Sequence, residues 1–136
     1  MKITNIFRRK DSANESRVST DPYIMPEPDN VDSAMRRGWA FHSKNEQVKA
    51  EIDFRKALEF ESRSVDAHYA LALILKSQGR NEEAVIRFKQ TLELINAGVI
   101  ANQSRAEMLR RLSMGHINEL TQGDWNLEDE VWHHKT

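Results

Sequence analysis

The stretch GRNEEAVIRFKQTLEL, Gly79 to Leu94, decides how this chain is read. Gly79 accepts the left-handed backbone that ends a helix. Asn81 stands at the cap of the next helix, and Glu82 and Glu83 sit at the positive end of its dipole. Ala84, Val85, Phe88, Leu92 and Leu94 then recur every three to four residues, the spacing of one apolar helix face. The earlier stretch AEIDFRKALEF, Ala50 to Phe60, carries the same order of small and large residues.

The two stretches superimpose at an offset of 34 residues. That offset sets Gly38 on Ala72, Phe41 on Leu75, Ala50 on Ala84, Phe54 on Phe88, Leu58 on Leu92 and Phe60 on Leu94. Small residues match small ones where helices must approach closely, and large ones match where space must be filled. A fixed period of this size is the mark of a stacked helical unit.

In period and in this pattern the chain resembles the tetratricopeptide repeat family. The resemblance covers roughly residues 31–98, with units of about 31–64 and 65–98. It implies an all-α fold: antiparallel helix hairpins stacked into a short right-handed superhelix. Some positions depart from the family pattern. Ala34 and His68 stand where a large aromatic residue is usual, Arg37 where leucine is common, and Ser62 and Asn96 where proline closes the unit.

Other breakers extend the reading. Asn45 is expected to cap a helix from Glu46, and Ser64 to cap another. Gly98 and Gly123 are expected to close two more. A degenerate third unit and a cap occupy residues 99–136. Leu109, Leu112 and His116 lie on its packing face, and the helix runs through Ile117 and Leu120 to Gly123. Trp125 follows, then a short end helix from Leu127 to His134 that covers the stack. No segment alternates with period two, so no sheet is expected.

All three prolines, Pro22, Pro26 and Pro28, fall in a polar N-terminal stretch broken only by Tyr23, Ile24 and Met25. Residues 1–29 are expected to form a flexible or extended tail, with residues 30–136 as the helical domain. At the start, Ile3, Ile6 and Phe7 with Lys2, Arg8, Arg9 and Lys10 suggest weak contact with a membrane surface through residues 1–10, set against a solvated terminus.

The 136 residues suit one domain, 39% of them hydrophobic. Twenty Lys and Arg oppose 21 Asp and Glu, for a net charge of −1. No global field therefore favours nucleic acid, and the pairs Arg36–Arg37 and Arg110–Arg111 form spots rather than a stripe. Cysteine is absent, which excludes disulfides and thiolate sites. Nothing approaches the ~20 apolar residues of a membrane span, and no signal peptide is evident, so a cytoplasmic location is expected.

No catalytic or metal site is expected. His133 and His134 are neighbours that point to different sides of a helix, and Glu130 does not complete a chelating set. Neither a nucleophile elbow nor a phosphate loop occurs, and no cofactor is expected.

In the family, the first helices of successive hairpins line a concave groove. Carried over by position, the resemblance implies a groove of Met35, Trp39, His42, Tyr69, Leu73 and Lys76, extended by Arg110 and Met114. Aromatic, Met and Arg side chains suit an extended peptide or partner helix. Met35 and Trp39 occupy positions where some members carry a charged carboxylate clamp, so a chaperone tail is not the expected ligand. The expected function is protein binding, as a scaffold, adaptor or assembly factor. The alternative is a structural subunit docked through its tail or end helix into a larger or membrane-associated complex. Self-association is a further expected route to stability for so short an array.

Overall fold

The computed structural model describes residues 20–123. It is all-helical, with five α-helices and, among the described residues, no strand. Helix α1 spans Val31–Ser43, α2 Gln47–Phe60, α3 Val65–Ser77, α4 Asn81–Asn96 and α5 Gln103–Gln122. A short 3-10 turn, Pro22–Ile24, precedes them. Each helix packs mainly on its neighbours in the chain, most extensively α1 on α2 and α3 on α4.

Local chemistry sets the helix ends. Asn30 and Ser33 cap α1 reciprocally: the Ser33 N–H donates to Asn30 Oδ1 at 2.8 Å, and the Asn30 N–H donates to Ser33 Oγ at 3.2 Å. Ser64 caps α3 as expected, accepting from the Ala67 N–H at 3.2 Å. Gly79, Gly98 and Gly123 all take positive φ at helix ends.

Two cap expectations are corrected. Asn45 does not cap α2; it takes φ 61° and closes α1. The Glu46 N–H donates to the Phe41 carbonyl at 2.9 Å and the Asn45 N–H to the His42 carbonyl at 2.9 Å, the paired bonds of a left-handed helix stop. Arg80 and Gly79 repeat those bonds onto Leu75 and Lys76 at 2.9 and 3.0 Å. Asparagine tolerates the left-handed region better than other non-glycine residues, so it does at 45 what glycine does at 79. Asn81 is the first residue of α4 rather than its cap; the cap position is Arg80, with no side-chain hydrogen bond.

The main core joins the first four helices around Phe41, Phe54, Leu71, Ile74, Leu75 and Phe88, all buried. Three of the pairs set by the 34-residue offset are buried alike, Ala50 and Ala84, Phe54 and Phe88, Phe41 and Leu75, whereas Phe60 is exposed and Leu94 half-buried. Gly38 lies so close to Phe54 that a Cβ there would stand 2.5 Å from the ring. A second cluster, Val65, Ile95, Ala106 and Leu109, attaches α5.

Residues 20–29 lie against the first hairpin rather than extending from it. Asp21 caps the 3-10 turn by accepting from the Tyr23 N–H at 3.0 Å. Pro22 and Pro28 are buried, and the Tyr23 ring meets Phe41 edge-on at 5.4 Å. Glu27 pairs with both Arg37 and Lys56. The segment about Ile3, Ile6 and Phe7, Trp125, the end helix Leu127 to His134 and its two histidines lie outside the described residues.

Candidate functional site

The eight groove residues fall on three helices and in different settings. Met35, Trp39 and His42 are on α1, Tyr69, Leu73 and Lys76 on α3, Arg110 and Met114 on α5. Met35, Tyr69 and Leu73 are half-buried and pack against the main core, which brings the α1 and α3 sets onto one body of side chains. Trp39 is the exposed aromatic of the set, at 37%. Its ring stands edge-on to Phe54 at 5.0 Å and to His42 at 5.7 Å, so one edge is seated in the hairpin and the rest faces outward. His42 Nδ1 lies 3.0 Å from Gln47 Oε1.

Tyr69 and Lys76 are engaged by α5. The imidazole of His116 stacks on Phe88 at 4.8 Å, with 13° between the planes. Lys76 Nζ lies 2.9 Å from His116 Nδ1, and Tyr69 Oη lies 3.3 Å from His116 Nε2. An ammonium group only donates, so Nδ1 accepts and Nε2 carries the proton toward the tyrosine oxygen. Lys76 also pairs with Glu119 at 2.8 Å. Burial, with Lys76 beside it, pushes His116 down to about 4, so the ring is neutral at pH 7. Glu119 is held below the usual carboxylate range by its hydrogen bond from Lys76.

His116 and Glu119 are therefore part of this surface, although position alone did not include them. Their signal in the sequence is their i, i+3 spacing on one helix. Arg110 turns toward α4: its guanidinium pairs with Glu107 at 2.6 Å and donates to Asn96 Oδ1 at 3.2 Å. Met114 is half-buried.

The arrangement offers an aromatic contact at Trp39 on α1 and, between α3 and α5, a polar network whose donors and acceptors already serve one another. Among the described residues no group of three or more His, Asp or Glu could hold a metal ion, and no helix is long and apolar enough to cross a membrane. No family model and no curated protein matches the chain.

Proposed function

We propose that this chain is a protein-binding module that holds an extended or helical segment of a partner against the outward side of α1 and α3. The observation that carries the reading is Trp39, an indole 37% exposed with one edge held by Phe54. A large aromatic ring already fixed in position loses little freedom on binding, which is why tryptophan is a frequent interface anchor. Met35 and Leu73, half-buried nearby in the same body of side chains, add adaptable apolar area. In this reading the helices are stacked hairpins of the tetratricopeptide type in a short right-handed superhelix. The shared burial at 34-residue offsets and the matching helix stops at Asn45 and Gly79 support it.

The test is capture and quantitation. A partner cross-linked to the wild-type chain in native extract is identified, purified and titrated against wild type and Trp39→Ala. Loss of the anchor should weaken binding about tenfold or more. Circular dichroism and urea unfolding check that the variant is folded. Unchanged affinity in a folded Trp39→Ala chain refutes the groove assignment. Tyr69→Ala is the poorer variant, because that ring also supports Phe88 at 5.8 Å.

A further inference from the structure

A cleft of about 300 Å³ opens between α2 and α4, lined by Arg55, Leu58, Glu59, Ser62, His68 and Arg87. None of the eight groove residues lines it. Its floor is His68, which is 8% exposed. His68 Nε2 lies 2.9 Å from the Ser62 carbonyl oxygen, which only accepts, so Nε2 bears the proton and Nδ1 is an acceptor. Arg87 supplies the donor: its Nη1 lies 3.4 Å from His68 Nδ1 and 3.2 Å from Gln90 Oε1. These contacts hold one nitrogen of the guanidinium and leave the Nε and Nη2 donors with no acceptor among the described residues.

Arg87 differs in this from the other half-buried arginines. Arg37 pairs with Asp53, Arg55 and Arg80 with Glu51, and Arg110 with Glu107. Arg87 is half-buried and has no carboxylate within ion-pair distance among the described residues. The 34-residue register explains why. Arg87 falls where the first hairpin has Asp53, and Leu71 falls where it has Arg37. The charge at this position is reversed and its internal partner has become apolar. Burial, with Arg55 close by, lowers the pKa of Arg87, and the charge of Glu83 offsets only part of that. A desolvated charge without a partner is costly, and an anion from outside would relieve that cost.

We propose that this cleft binds a carboxylate borne by an acidic peptide segment of a partner protein, with the Nε and Nη2 edge of Arg87 as its anchor. That edge matches a planar carboxylate in two parallel hydrogen bonds. A phosphate dianion fits less well. Arg55 is already engaged by Glu51 at 2.8 Å and by Glu83 at 3.8 Å, and exposed Glu59 on the rim repels a second negative charge. Leu58 offers apolar wall to the stem of the incoming side chain.

The Nε–Hε resonance of Arg87 in the ¹⁵N-labelled full chain reads the site directly. The probes are a short peptide of Glu and Gly with a free C-terminus, the same peptide with Gln for Glu and an amidated end, and inorganic phosphate. The acidic peptide should move the resonance saturably, with Kd on the order of 1 mM, weakening as salt rises. The Gln peptide should not move it, and phosphate should not saturate it at the same concentrations. Arg87→Met should abolish binding measured by calorimetry in a folded chain, and Trp39→Ala should leave the titration unchanged. The proposal is overturned if the wild-type resonance stays still with the acidic peptide, a result that decides whether or not the variant folds. It is equally overturned if Arg87→Met binds as well as wild type, or if phosphate saturates the site at lower concentration.

Discussion

Arg37 and Asp53 form a two-bond ion pair inside the first hairpin: Nε donates to Oδ2 at 2.9 Å and Nη2 to Oδ1 at 2.8 Å. The Asp53 side chain is 1% exposed. The pair explains an irregularity of the sequence, an arginine where the second hairpin has buried Leu71. Its carboxylate partner comes from α2, and Glu27 meets the guanidinium from the other side at 3.2 Å. The same arginine therefore joins both helices of the hairpin and fastens the preceding segment to them. Its guanidinium is held even more firmly protonated by the hydrogen bond to Asp53.

Removing one partner should cost more than removing both. Asp53→Ala leaves Arg37 half-buried against an exposed Glu27, and should destabilise the chain by about 3 kcal/mol. Arg37→Leu with Asp53→Leu, which gives the first hairpin an apolar pair, should recover most of that loss. Urea unfolding at pH 7 checks both, and a double variant as unstable as Asp53→Ala would refute the account.

Acid should weaken the fold before its carboxylates titrate. Folded His116 titrates at about 4, against 6.5 for an unperturbed histidine. Between those values the unfolded chain binds a proton that the folded chain refuses, so stability is full above pH 6.5 and falls as pH drops toward 4. His68, also pushed down by burial, acts in the same direction. Glu119, held low by Lys76, and Glu27, held low by Lys56 and Arg37, continue the loss below about pH 4.5. His116→Phe keeps a ring against Phe88 and cannot titrate. Its thermal midpoint should vary less than that of wild type from pH 6.5 to 4; an equal slope would place the proton uptake elsewhere.

Gly38 should tolerate no side chain. The Phe54 ring occupies the place of a Cβ, at 2.5 Å. Gly38→Ala should cost about 1–3 kcal/mol through forced movement of that ring, although alanine is otherwise the better helix former. Chemical denaturation of the variant measures it, and a neutral effect would mean that Phe54 moves aside freely.

The two matching helix stops should respond in opposite senses. Gly79 has φ 77°, so Gly79→Ala should destabilise by about 1–2 kcal/mol. Asn45 has φ 61°, so Asn45→Gly should be neutral or stabilising by about 0.5 kcal/mol, the relief of strain slightly exceeding the added chain entropy. Parallel unfolding curves test the pair, and a loss at Asn45→Gly would show that its side chain contributes more than its backbone.

The sequence by itself determined that the described part is helical and where most helices end. Apolar spacing of three to four residues, Ser64, and the glycines at 79, 98 and 123 are local signals, and local geometry obeys them. Asn45 was ambiguous for a physical reason: asparagine suits both a helix cap and a left-handed stop, and neighbouring residues do not distinguish them. Burial of Phe54 and Phe88 was legible in their shared register. Which polar side chains meet was not. Arg37 finds Asp53, Lys76 and Tyr69 find His116, and Arg87 finds the neutral imidazole of His68, because of how one helix lies against another. Packing of the apolar faces sets those distances, so the tertiary structure decided which charges are paired, which groove residues are already engaged, and which guanidinium edge is left open.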